Sequence, residues 1–306
     1  MAVSAEIKAL DQVEYNFGIQ KILIALMLIV GFSVAFLAYF PLEKKIETLV
    51  KVQLAKIPGC RANFEQLRFE FLLPKVVLTD VQLPGRCLGS TTPLKMSQLA
   101  LHFRGPSFSP FGVAFKVTGD VHGTPIAINY AAGISSQVFN IQEEALPFTL
   151  LNKLMPSLPK MEGKVGFNTK ITLQGEALQD LQLAVVSSNL NMPAQNLGDF
   201  KLPRMPIGNL SLKVESTSPR ELAIREFILG KPEAPVRAKF NGKIKLAQGM
   251  MSMSPVDIQG EAAFSPDFIQ AFPLVSLMLS QFTQKSGFYQ IKLGGTLGNI
   301  RPIAGP

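Results

Sequence analysis

Tryptophan is absent from this chain, and tyrosine (4), histidine (2) and cysteine (2) are scarce. Phenylalanine is not, at 22, so the aromatic content is almost wholly apolar. The only histidines, His102 and His122, lie in or beside alternating segments without a metal-ligand neighbour three or four positions away. That context reads as structural rather than metal-binding. The cysteines lack CxxC spacing, and no GxSxG, GxxxxGK[ST], HExxH or GxGxxG pattern occurs. Glu143-Glu144 reads as a solvated loop rather than an acid/base pair, which needs two carboxylates held in different environments. Asn209-Leu-Ser211 matches the glycosylation tripeptide, but one chance match in 306 residues says little. No catalytic residue, metal or cofactor is expected. An anchored hydrolase stands as the enzymatic alternative, against an empty motif search.

Charge is also sparse: 17% of residues are charged and 47% are apolar, so much of the chain must be covered by itself, by lipid or by a partner. The net charge of +8 is spread singly along alternating segments. A nucleic-acid reader would concentrate it in a stripe, so no nucleic acid is expected as a partner.

One stretch lacks charge altogether. Residues 22–40, ILIALMLIVGFSVAFLAYF, run between Lys21 and Pro41 with Ser33 as the only hydroxyl before Tyr39. As a helix the stretch is about 28 Å long, close to the ~30 Å hydrocarbon core of a bilayer. Tyr39 and Phe40 stand where amphipathic rings settle at the headgroup level. A cleaved signal peptide is the rival reading. However, the preceding segment carries Glu6, Asp11 and Glu14, and no small-x-small site ends the run. The expected division is a cytoplasmic tail (1–21), a transmembrane helix (22–40), an amphipathic helical stalk (41–58) and a β-rich domain (59–306). Counting Lys44, Lys45, Lys51 and Lys56 against Lys8 and Lys21 puts the large domain in the cytoplasm. That rule is weak for long translocated domains, and the cysteines point outward.

Cys60 and Cys87 flank two strand-like runs, Phe64–Phe71 and Val76–Leu83. A hairpin centred on Leu73/Pro74 sets the two cysteines opposite one another, within reach of a disulfide suited to an oxidising compartment. Two free, half-buried thiols are the alternative.

From Cys60 onward the hydrophobic period changes from 3.6 to 2. Leu99–Phe103, Val113–Val121, Ile126–Tyr130, Val165–Leu173, Leu181–Val185, Leu210–Val214, Val236–Leu246 and Phe288–Leu293 all alternate. Alternation with Gly/Pro/Ser turns predicts roughly a dozen antiparallel strands, one face dry and one wet. Leu146–Leu158 predicts a turn or two of helix. Ser265–Lys285 opens with a Ser cap, Pro at the first helical position and Asp in the first turn, and Pro273 should kink or restart it. An echo between Gln174–Ala177 and Gln259–Ala262, each expected to end a strand, is too short to establish duplication. Two short helices cannot cover a dozen strands. The expected fold is therefore mainly β: a large curled antiparallel, taco-like sheet behind a single membrane helix.

The order of pieces resembles the type II secretion system protein N (GspN) family. The resemblance is carried by the anchor followed by PGCRANFEQLRFEFLLPKVVLTDVQL, the Gly163–Gly175 strand and the Lys201–Leu210 stretch. Asn241–Leu246 and the apolar helix before Tyr289–Leu297 and Arg301-Pro302 continue it. The opening pattern around Leu78-Thr-Asp-Val-Gln-Leu83 is also similar to AsmA-type and bridge-like lipid-transport proteins. The first resemblance implies a single-pass inner-membrane protein with a periplasmic β-domain, accessory to protein export across the outer membrane. Its partners would be inner-membrane lipids and other secretion-system components, and the family supplies no catalytic residues. The second implies an apolar trough for phospholipid acyl chains. Phe115, Val117, Phe167, Ile171, Phe240 and Ile244 are its candidate lining residues, and ordinary core residues otherwise. The oligomeric state has no signal in the sequence.

Overall fold

The computed structural model describes residues 27–28, 44–45, 47–48, 50–52, 63–70, 74–85, 93–154, 159–175, 177–197, 200–247 and 251–303. The chain divides into two units, residues 1–56 and 57–306. In the first unit the described residues are helical. Glu47 and Lys51 form an ion pair one turn apart, and the Thr48 hydroxyl donates to the Lys44 carbonyl at 2.8 Å. No helix among the described residues is long and apolar enough to cross a membrane. Of the expected span 22–40, only Met27 and Leu28 are described; the rest of it lies outside the described residues, as do Cys60 and Cys87.

The second unit is mainly β. Its strands run β1 (Gln66–Glu70), β2 (Lys75–Leu83), β3 (Leu94–Phe108), β4 (Phe111–Val121), β5 (Thr124–Gly133) and β6 (Gln137–Pro147). A short helix, α1 (Phe148–Leu154), leads to β7 (Lys164–Gln174) and β8 (Ala177–Met192). The small hairpin β9 (Gln195–Leu197) and β10 (Phe200–Leu202) precedes β11 (Met205–Ser218), β12 (Glu221–Leu229), β13 (Val236–Lys245) and β14 (Pro255–Phe264). Helices α2 (Pro266–Ala271) and α3 (Pro273–Leu279) follow, then β15 (Gln284–Lys285), β16 (Phe288–Thr296) and β17 (Asn299–Ile303).

Apart from the β9–β10 hairpin, all these strands belong to one antiparallel sheet. They pair almost entirely in chain order, from β1 to β8 and on through β11, β12, β13, β14 and β16. Each hairpin thus feeds the next, the cheapest connection for an antiparallel chain. Among the described strands the pairing does not return to β1. The sheet is open and not strongly curled, which corrects the taco-like expectation. The sheet has no need to fold on itself over its whole length, because local cover at one end buries a core.

That core gathers where β2 and β6 end and β3 and β7 begin. Phe148 and Leu150 of α1 pack with Val81, Leu94, Met96, Val121, Val165 and Val185. Leu190, Met205 and Ile207 extend the same cluster towards β11. We call this the capped end. The hairpin turn at Ser109-Pro110 lies at the other, open end. Helix α2 begins as its sequence dictates: the Ser265 hydroxyl accepts the Phe268 N–H at 3.2 Å and Pro266 follows. Pro273 restarts the helix as α3, which ends at Leu279, short of the expected Lys285.

Two local expectations fail. The β1–β2 hairpin pairs Glu70 with Lys75, and Asn63 faces Gln82. The register that sets Cys60 opposite Cys87 would face Asn63 with Pro84, so the pairing is shifted by two residues. Gln174–Ala177 spans the β7–β8 turn, where Gly175 has φ +61°, whereas Gln259–Ala262 lies inside β14. The echo therefore joins a turn to a strand interior and marks no repeat.

Removing one side chain from the capped end should cost far more than removing one from the open end. Leu150→Ala, at a site 3% exposed, is expected to lower stability by about 2–5 kcal/mol in urea unfolding followed by circular dichroism. Phe111→Ala, at the open end, should stay within about 0.5 kcal/mol.

Candidate functional site

Strand register sorts the side chains onto two faces of opposite character. On one face, Lys213 pairs with Glu226 (3.4 Å), Lys243 with Glu221 (2.9 Å) and Lys292 with Asp257 (3.6 Å), and Arg225 contacts Glu215. The Ser211 hydroxyl, with Lys213 beside it, holds the Glu226 carboxyl below its usual range, and Lys243 does the same for Glu221. These pairs are solvated, so they keep that face wet and set register rather than supply much stability.

The other face is a stack of apolar rows. One row runs Phe103, Phe115, Tyr130, Phe139, Ile171 and Leu181 across β3 to β8. The next runs Leu101, Val117, Ile128, Ile141, Thr169, Leu183, Val214 and Ile224. A third, nearer the capped end, runs Phe167, Val185, Leu212, Phe227 and Phe240. Phe240 then faces Gly260, where a Cβ would fall 2.5 Å from its ring. The glycine lets that ring lie across the neighbouring strand.

All six residues singled out in the sequence share this face. Phe115 and Val117 lie on β4, Phe167 and Ile171 on β7, and Phe240 and Ile244 on β13. Each is half-buried. Phe115 and Ile171 belong to one continuous row, whereas Phe240 and Ile244, on β13, are separated from β4 by six intervening strands in the order of the sheet and do not join them in one site.

Sequence reasoning missed the centre of that row. Phe103 meets Phe115 edge-on at 5.9 Å, Phe115 stacks with Tyr130 at 6.2 Å, and Tyr130 stacks with Phe139 at 4.7 Å. Such ring pairs add about 0.5–1.5 kcal/mol each beyond area burial. The signal was available: each ring is the near-mirror image of the next about a hairpin turn, at Ser109-Pro110, His122-Gly123 and Ile134-Ser135. The ladder is uncovered towards the open end, where Phe103 and Val113 are exposed.

Glu143 was also misread. It lies in β6 on the level of Phe167, not in a loop. Strands β5 and β6 stop pairing beyond Ile128 and Ile141, and the Glu143 carboxylate accepts the Ala127 N–H at 2.7 Å in place of a strand carbonyl. The split opens a cavity of about 480 Å³ on the polar face, lined by Lys75, His102, Thr118, Asp120 and Glu143 among others. His102 Nε2 lies 3.1 Å from the Thr118 hydroxyl. Burial, then Lys75, Arg104 and Lys116, pushes its pKa below the ordinary 6.5. Among the described residues no group of three His, Cys, Asp or Glu side chains is placed to hold a metal.

The arrangement offers a broad apolar surface backed by a charged one. No family model matches the chain, and no curated protein or solved structure matches it. The class that the fold defines is an open antiparallel sheet with one partly covered apolar face.

Two measurements probe this surface. An apolar dye such as anilinonaphthalene sulfonate should bind the ladder. Tyr130→Ala with Phe139→Ala should weaken that binding at least about fivefold, since each removes ring area worth roughly 1.5–3 kcal/mol when fully covered. Melting temperature should also fall as pH drops below about 6.5, because the unfolded chain then takes up a proton that folded His102 resists. His102→Gln should flatten that part of the profile.

Proposed function

We propose that the chain is a non-enzymatic inner-membrane accessory component of the type II secretion system, working as a scaffold. In this reading residues 22–40 anchor it and the sheet stands in the periplasm. The reading draws on the motif order that resembles the GspN family. The observation that carries it is the sheet's own construction: β1 pairs only with β2 and β17 only with β16 among the described strands, and the apolar face between these edges is incompletely covered. Such edges accept an added strand, and such a face accepts apolar side chains of a partner.

A second reading is favoured by one observation. The ring ladder from Phe103 to Phe139 continues into Ile171 and Leu181 as an unbroken half-covered row, a surface suited to an acyl chain. Under that reading the protein binds or transfers phospholipid.

The two separate in one set of strains. Deleting the gene should lower release of type II substrates into the medium, and crosslinked capture of the protein should return identified secretion components. Unchanged substrate release, with stoichiometric phospholipid extracted from the purified protein, would replace the first reading by the second.

A further inference from the structure

We propose that the open end of the sheet is a membrane contact in its own right, in which the β3–β4 and β5–β6 hairpin tips insert Phe108, Phe111 and Ile134 into an anionic lipid surface. Phe108 and Phe111 are the last pair of their strands, and the Ile134 N–H donates to the Phe111 carbonyl at 3.2 Å, so the three side chains form one patch. They are 83%, 70% and 87% exposed, whereas Phe115, Tyr130 and Phe139 of the ladder are half-buried.

The surroundings select lipid. Residues 105–115 and 130–142 contain no charged side chain; the tips are otherwise built of Gly, Ser, Pro, Ala, Val and Gln with a few larger apolar residues. The charges nearest in sequence on these strands are cationic, Arg104 on β3 and Lys116 on β4, with Lys170 on β7 level with Asn140. The first acids on the same strands, Asp120 and Glu143, lie further back towards the capped end. Two acids stand near this collar, Glu70 paired to Lys75 and Asp180 bonded by the Ser216 hydroxyl, and the tip strands themselves carry none ahead of Arg104 and Lys116. An apolar wedge with such a collar complements the acyl boundary and the phosphates of an anionic leaflet. The spacing agrees: Arg104 stands four residues behind Phe108, about 13 Å at 3.3 Å per residue. Rings buried roughly 5–10 Å into the headgroup–acyl boundary would leave that guanidinium among the phosphates or just above them. This contact depends neither on the secretion reading nor on residues 22–40.

The absence of tryptophan supplies the test. The full chain carrying Phe111→Trp is reconstituted in vesicles of phosphatidylglycerol and phosphatidylcholine, with brominated lipid in the host vesicles in one arm and in added vesicles in the other. Emission should shift to the blue and be quenched in at least one arm, while Lys243→Trp on the charged face is not. Phe108→Ser with Ile134→Ser should lower the lipid partition of the tip about tenfold or more per side chain removed, and replacing phosphatidylglycerol by phosphatidylcholine should weaken it severalfold. Quenching of Phe111→Trp no greater than that of Lys243→Trp in both arms overturns the proposal, as does a partition unchanged by the serine substitutions. Equal quenching by neutral vesicles overturns the part assigned to the cations.

Discussion

A sheet that pairs in chain order must put half of its side chains on each face, and here one of those faces is apolar over nearly its whole width. Among the described residues the three α-helices of the second unit are of six or seven residues each. They cannot cover fifteen strands, so across β3 to β8 burial is concentrated at their end and falls towards the Ser109-Pro110 turn. A separate buried set, Leu222, Ser254 and Val256, lies at the far end of β12 to β14. Val165 and Leu190, beside α1, are 1% exposed; Phe103, on the same face towards the other end, is 43% exposed. The same kind of residue is core at one end and surface at the other. Stability and availability for binding are thus distributed along the strands rather than assigned to separate parts of the chain.

The charged face makes this arrangement tolerable. A one-residue slip in any strand would bring its apolar set to the wet side and its lysines to the dry one, so the alternation itself specifies register. The cross-strand pairs from β11 to β16 reinforce that choice at little energetic gain. Where the alternation is broken, a local device repairs it. The β3–β4 ladder shifts register between Met96 and Leu99 and again between Phe103 and Gly105. Such bulges raise twist and re-aim the strand. Glu143 is the most economical of these repairs: one carboxylate satisfies a backbone donor that a diverging neighbour has left behind, which answers the demand that a part-buried N–H be paired.

The class of fold was legible because period-2 alternation is a strong signal and was repeated many times. Every alternating run identified in the chain lies within a strand, except that Leu246 falls just past the end of β13. The Ser265 cap and the break at Pro273 were legible for the same kind of reason: each is a local rule with few competitors. What escaped was nonlocal. The β1–β2 register depends on where the turn closes, and a shift of one residue in the turn's centre moved every partner by two. The aromatic ladder required pairing four strands at once, so Phe115 was singled out without Tyr130 or Phe139. The curl was inferred from an area argument alone, which says that apolar surface must be covered but not by what.

That last point decides how the apolar face should be understood. If the exposed rows were simply unfinished core, nothing would favour placing the largest rings where cover is thinnest. The row nearest the capped end does mix its sizes, with Val185 and Leu212 between Phe167 and Phe227, as a packed interior does. The row towards the open end does not: Phe103, Phe115, Tyr130 and Phe139 follow one another on four successive strands. Rings stacked in series cover one another's faces and leave their edges as a continuous apolar strip. They also lose little conformational freedom when something lies against them, since each has only two side-chain torsions. A strip of that kind is inefficient as core and well suited to contact, which is why the binding proposals rest on this part of the sheet and not on the better-packed end.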